Sequence, residues 1–443
     1  MTAHLMHDGD SQPASQSVVN TEQYNLPPFE RLPPEIAGSI FRRCFHGERI
    51  IIPIREKRST AMIPWVISQV CSRWRNILMS DSTIWSSMTI SYENIWDKEA
   101  LTRKVEEIIL PRIKLNPISF ESSNLDFLNA AYYSAVIPRL IIPNLARFRH
   151  LTLSMHRIEL EPLITSPPGL MESLESLKLD FTSTERLEFF QGSITVFEDA
   201  PNLRKVHFTS KYFCEFKGTG PLTLPWGQLT NIDISLNLPY AAVIQFLPHC
   251  TQLVSCRLSI GSMNEVTDEP TLPAKFVLPQ LQSITLYSAY IDTHACPTLL
   301  QLLILPSLKE FTLRLFDEVS VQSTLLELID RSRSQLEHLE ISGFFTDAIQ
   351  TVAELLQVTP SLKKLVIPRD HVLPTSVIKR MMTGELVPIL EAIHCQVASL
   401  PLMLELLETR RSGRSPRAPV SYRGILCSVI WGHGLPECKC ETL

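Results

Sequence analysis

The chain has 443 residues, of which 44% are hydrophobic and 20% charged, and its formal net charge is −5. This is the composition of a soluble globular protein, long enough for about three average domains or for one repeat array. The acidic balance leaves no overall electrostatic footprint for nucleic acid, and no run of about 18 apolar residues is present to span a membrane.

In chain order, Met1 to Asn25 joins His4, His7, Asp8 and Asp10 to a Ser/Gln-rich piece. It lacks the basic and apolar regions of a secretory signal, and residues 1–28 read as a disordered tail. The 10 cysteines are scattered without the spacing of a disulfide framework, and no Asn-x-Ser/Thr acceptor occurs outside a proline context. An intracellular location follows as the expectation, in cytoplasm, nucleus or both. Cys438-Lys439-Cys440 holds the only closely spaced pair, and it reads as free thiols on a tail rather than a metal site.

Residues 31–90 carry the clearest local pattern. Pro33-Pro34 presets φ and dispenses with N–H groups that a first helical turn leaves unpaired, and Ile36, Ile40, Phe41, Cys44 and Phe45 follow at helical spacing. A first helix is expected over 33–45. Gly47 to Ser59 is charged and reads as a loop. A second helix over 65–79 would align Val66, Val70, Trp74, Ile77 and Leu78, with Arg73, Arg75 and Asn76 beside them. Helices this short must pack on each other, on Ile84-Trp85 or on another protein.

Leu32-Pro33-Pro34-Glu35-Ile36, Val70-Cys71-Ser72-Arg73-Trp74-Arg75 and Ile84-Trp85, in that order, resemble the F-box-like domain in the version common in fungal proteins. Ile84 stands where Leu is usual, and the insert between the helices is long. The resemblance covers 29–90 and implies docking to a Skp-family adaptor and, through it, to a cullin–RING ubiquitin ligase. It places the adaptor contact on Leu32, Pro33, Ile36, Ile40 and Phe41, and it leaves Trp74 and Trp85 to internal packing. The alternative is a helical pair that merely caps a larger domain.

From residue 85 onward an L-x-x-L-x-L unit recurs. Its clearest copies are Leu174-Leu177-Leu179, Leu203-Val206-Phe208, Leu229-Ile232-Ile234, Leu253-Cys256-Leu258, Leu281-Ile284-Leu286, Leu308-Phe311-Leu313, Leu336-Leu339-Ile341 and Leu362-Leu365-Ile367. Their first positions are 24 to 29 residues apart. Looser copies start at Trp85, Leu115, Phe148, Leu390 and Leu426. Each unit predicts a short strand with its apolar pair facing a core. Helical spacing between strands appears at 241–247, 323–329, 348–356 and 402–408.

This pattern resembles the leucine-rich repeat family, which implies an α/β solenoid, a horseshoe with strands on its concave side, over 91–443. The Asn or Cys usual after the strand is matched only by Asn237, so an irregular coil is expected, its turns held by other means. The alternate strand positions then face outward: Ser176, Lys178, Asp180, Lys205, His207, Asn231, Asp233, Ser255, Arg257, Thr285, Tyr287, Glu310, Arg314, His338, Glu340 and Lys364. Arg257, Tyr287 and Arg314 are the candidate target-binding residues, since Tyr and Arg are enriched at binding hot spots. Mixed charge on this face argues for a protein target over nucleic acid.

No catalytic motif is present, and neither a cofactor nor a metal is called for. His207, His249, His294 and His338 stand isolated in sequence. Arg410, Arg411, Arg414 and Arg417 read as an exposed loop, with a nuclear-import signal as the alternative. Two classes of function remain. One is a non-catalytic substrate receptor of a Skp–cullin–F-box type ubiquitin ligase, with adaptor, cullin and an unknown target protein as partners and neither nucleic acid nor membrane. The other is a repeat scaffold without a ligase role.

Overall fold

The computed structural model describes residues 28–45, 50–52, 63–91, 102–123, 136–181, 194–210, 222–261, 274–288, 295–315, 321–342, 348–367, 372–397, 399–411, 427–429 and 438–440. The expected tail over 1–28 lies outside them except for Pro28, and so do His294, Arg414 and Arg417.

The fold is α/β. Its centre is one large sheet whose strands follow each other in chain order: β1 (Ile50–Ile52), β2 (Ser87–Ser91), β3 (Ile118–Ser123), β4 (Phe148–Met155), β5 (Ser176–Phe181), β6 (Lys205–Ser210), β7 (Asn231–Leu238) and β8 (Ser255–Ile260). It continues through β10 (Ser283–Ser288), β12 (Glu310–Arg314), β13 (His338–Ser342), β14 (Lys364–Val366), β16 (Ala392–His394), β18 (Cys427–Val429) and β19 (Cys438–Cys440). Every pairing is parallel except β18 with β19. Parallel neighbours in strict sequence order require a one-directional coil, a solenoid-like path. Two short parallel pairs sit beside the sheet, β9 (Phe276–Val277) with β11 (Leu303–Ile304) and β15 (Val372–Leu373) with β17 (Gln396–Val397).

The repeat unit explains the core. The first leucines of the eight clear copies are each at most 1% exposed, and the residues three and five places later are buried beside them, except Ile367, which is partly buried just past β14. Register stacks these positions into columns, so that Leu151, Leu177, Val206, Ile232, Cys256, Ile284, Phe311, Leu339 and Leu365 form one continuous row. The residue just before each strand donates its N–H to the equivalent carbonyl one repeat back, as in Glu175 to Arg149, Arg204 to Glu175 and Thr230 to Arg204. That ladder continues through Val254, Gln282, Lys309, Glu337, Lys363 and Glu391. On the entry side of the strands, side chains tie turns to the ones before them. Gln228 Nε2 donates to the carbonyls of Ala200 and Leu203, Arg331 to those of Leu300 and Leu303, and the Ser332 hydroxyl accepts from Leu305 N–H.

The four expected helical stretches occur, as Tyr240–Phe246, Gln322–Ser332, Ala348–Val358 and Leu400–Arg411. Helices at Arg157–Ile164, Ala295–Leu302 and Thr375–Met382 add to them. Arg410 and Arg411 end the last helix instead of lying in a loop. Leu115 is 94% exposed, because the positive φ of Lys114 turns the chain before β3 and leaves that copy without its first apolar anchor.

At the N-terminal end, α1 (Pro34–Cys44), α2 (Ile63–Ser68) and α3 (Ser72–Ser80) precede β2. Two expectations are corrected here. Ile50–Ile52, inside the expected loop, is a strand and the sheet's first edge, as three β-branched residues in succession favour. The sheet thus starts within the 29–90 span rather than after it. The single helix over 65–79 is broken in two. Cys71 is extended (φ −155, ψ 166) and caps α3, its Sγ accepting the Trp74 N–H at 3.4 Å. Arg75 Nε closes the end of α2 by donating to Ser68 O at 2.9 Å. Val66 and Val70 therefore leave the Trp74–Ile77–Leu78 stripe and are 57% and 60% exposed.

Candidate functional site

Two surfaces carry the expected site residues. The first is built on α1 and α3. Phe41 is 3% exposed and packs edge-on to Trp74, with ring centroids 5.3 Å apart, while Phe29 closes the cluster 4.7 Å from Trp74. Phe41 is thus an internal anchor whose ring cannot reach a partner, which corrects its place in the expected adaptor contact. Leu32 is half-buried, and its carbonyl accepts the Arg73 guanidinium, tying the entry of α1 to α3. Pro33 is exposed, and Ile36 and Ile40 are 50% and 36% exposed on the outer side of α1. Of the five residues, Pro33, Ile36 and Ile40 are those presented to solvent.

Trp74 is half-buried and Trp85 fully buried. The Trp85 indole donates to Leu78 O at 2.8 Å and meets Trp65 of α2 edge-on at 4.9 Å. Arg112, on the helical turn before β3, lies over both rings, 4.8 Å from Trp65 and 4.9 Å from Trp85. Burial works against its charge, and the two indole faces compensate in part. No short-range sequence signal points to this contact, since the three residues are 20 or more positions apart.

The second surface is the sheet face opposite the core. All sixteen expected outward residues lie there, none of them fully buried. Register resolves them into rows. Lys178, His207, Asp233, Arg257, Thr285, Thr312 and Glu340 are successive partners in the middle row. Tyr287 and Arg314 pair in the next row, where Arg314 stacks on the Tyr287 ring at 5.6 Å. The three candidate target-binding residues thus fall on neighbouring strands, Arg257 one row from the other two.

The cations of that trio already have partners. Arg257 NH1 is 3.1 Å from Asp233 Oδ2, and Arg314 donates twice to Glu340 Oε1, at 2.8 and 3.2 Å. His207, isolated in sequence, joins Asp233 at 3.0 Å. Partial burial opposes ionisation of Asp233, yet the His207 hydrogen bond and charge, the Arg257 charge and the Ser235 hydroxyl outweigh it, and the carboxyl sits below its usual range. His338 and His394 lie below the ordinary histidine value, chiefly through burial and secondarily through Lys364. Burial pushes the Cys250 thiol up to about 12 and Cys256 well above its usual value, so neither is a ready thiolate. Among the described residues no group of three or more His, Cys, Asp or Glu is placed to hold a metal.

No protein-family model matches the chain, and no curated protein matches it in sequence. Among the described residues no helix is long and apolar enough to cross a membrane.

Proposed function

We propose that the chain is the substrate receptor of a Skp–cullin–F-box type ubiquitin ligase, with α1–α3 as an F-box-like adaptor module and the sheet as a leucine-rich-repeat target platform. The observation that carries the reading is the exposure of Ile36 and Ile40 beside Pro33, on a helix whose other face is satisfied by Phe41, Ala37 and Gly38. Apolar residues left outside a complete core, behind the Leu-Pro-Pro-Glu-Ile start, are suited to a partner. The target surface is the polar sheet face, an extended array of mixed charge with aromatic and guanidinium groups. The receptor itself supplies no chemistry. It holds a target near the ligase and raises its effective concentration there.

A second reading is favoured by one feature. Phe41, Ile77, Leu78 and Trp85 belong to the same continuous core as the sheet, as residues of a cap on the first repeat would. In that reading the protein is an interaction scaffold with no ligase role. Mixing the intact chain with a purified Skp-family adaptor and cullin separates the two. A ternary complex on gel filtration supports the receptor, and an intact chain that elutes apart from the adaptor supports the scaffold.

A further inference from the structure

Most of the charge on the sheet's polar face is internally balanced. Asp233 is shared by His207 and Arg257, and Arg314 is neutralised by Glu340. The stretch over β4–β6 differs. Lys178 and Lys205 are exposed and make no ion pair among the described residues. Among the described residues Glu310 and Lys364 also make no ion pair, but they stand singly, whereas β5 and β6 place two such lysines on adjacent strands. Arg204, just before β6, donates to the carbonyls of Pro201 and Leu203 and acts on Glu175 through its charge without forming an ion pair with it. Of the carboxylates nearby, Glu175 is held by Arg149 at 2.9 Å, while Asp180 accepts from the hydroxyls of Ser154 and Thr209, at 3.1 and 3.2 Å, and keeps its charge, so the lysines and arginines of this stretch outnumber its carboxylates without being cancelled by them. Glu121 lies two strands from Lys178, on β3. In a chain of net charge −5, this is a local positive field on the surface that the proposed function assigns to the target.

We infer that β4–β6 is the docking point for an acidic, extended protein segment with carboxylates at alternate positions. The geometry sets the spacing. Lys205 pairs with Ser176 and Lys178 with His207, so the two lysines are diagonal neighbours on adjacent strands, offset by two residues, with Cα atoms about 8 Å apart. Side chains two residues apart on an extended chain are separated by about 7 Å, close enough for flexible lysines to meet both. The ion-paired Arg257 and Arg314 then lie to one side of the site, on β8 and β12, and the leading electrostatic contact comes from Lys178 and Lys205, which make no ion pair among the described residues. This inference rests on the sheet face being the target surface, and it is independent of adaptor binding.

The test uses the full chain and a short fluorescein-labelled peptide alternating Glu and Ser, read by anisotropy at low and physiological salt. The same peptide with Gln for Glu and a single-stranded RNA of similar length are run beside it. The expected result is binding of the Glu peptide that weakens with salt, negligible binding of the Gln peptide, and a loss of about tenfold or more in Lys178→Glu/Lys205→Glu. Lys364→Glu on β14 should bind as the wild type does. Lys178→Gln/Lys205→Gln, which introduces no new charge, should give the same direction with a smaller loss and an unchanged melting temperature. Absence of Glu-peptide binding by the wild type, equal binding by the Lys178/Lys205 variants, or tighter binding of RNA than peptide would each overturn the inference. An intact adaptor complex in any of those cases leaves the receptor reading standing.

Discussion

Replacing Trp85 by Ala should unfasten the N-terminal helices from the sheet. The indole is fully buried, donates to Leu78 O at 2.8 Å and is flanked by Trp65 and Arg112. Truncating a buried Trp to Ala costs about 3 to 5 kcal/mol in transfer and cavity terms. The lost hydrogen bond leaves a carbonyl in the last turn of α3 unpaired, at about 1 kcal/mol, and the ring contacts to Trp65 and Arg112 go with it. These terms overlap, so about 4 to 6 kcal/mol is expected, comparable with the whole stability of an ordinary domain. Because a repeat array can lose an end unit while its interior persists, the loss should be local. Hydrogen exchange by mass spectrometry on the full chain should show α1–α3, β1 and β2 deprotected while β6–β14 keep their protection. Trp85→Phe retains most of the volume and should cost about 1 to 2 kcal/mol. Unchanged protection of α3 and β2 in Trp85→Ala would refute the assignment of this indole as the fastener.

Trp74→Ala should cost about 1 to 3 kcal/mol, less than Trp85→Ala, since Trp74 is half-buried against Phe29 and Phe41; urea titration of the full chain compares the two. Replacing Arg257, Tyr287 and Arg314 together by Ala should change stability little, because exposed ion pairs contribute about 0 to 1 kcal/mol, but should alter the proteins captured, as read by mass spectrometry. Acidification should destabilise the chain in two stages. His338 and His394 are held below their ordinary value of 6.5, so the unfolded chain takes up protons first as pH falls through 6.5, and stability that is complete above that pH declines below it. Asp233 adds a second loss only at lower pH, below the usual carboxylate range. His338→Gln/His394→Gln should flatten the first stage of the melting temperature against pH, and an undiminished slope would contradict it.

The repeat was legible in the sequence because its L-x-x-L-x-L positions are those that parallel register stacks into buried columns, so Leu203 or Ile284 could be placed from spacing alone. The outward residues followed from strand alternation, and the His207–Asp233–Arg257 contact follows once the repeat offset is applied to the register. Other features had no local signal. Ile50–Ile52 hid in a charged insert, and its pairing with β2 depends on the fold closing around it. Val66 and Val70 continued the stripe of Trp74 on paper, but an extended Cys71 breaks the helix and turns them outward. Phe41 shared its period with Ile36 and Ile40, and only the position of Trp74 decides which of the three is buried.

The central claim is that the outer side of α1 binds a Skp-family adaptor, and titration calorimetry of the full chain tests it most directly. Deleting residues 1–90 would also remove β1 and β2 from the sheet, so Ile36→Asp/Ile40→Asp is the cleaner perturbation at positions already half exposed. The account predicts a one-to-one complex with the wild type and a loss of about thirtyfold or more, roughly 2 kcal/mol, in the variant at unchanged melting temperature. An adaptor that ignores the wild-type chain, or binds the variant as well, would contradict it.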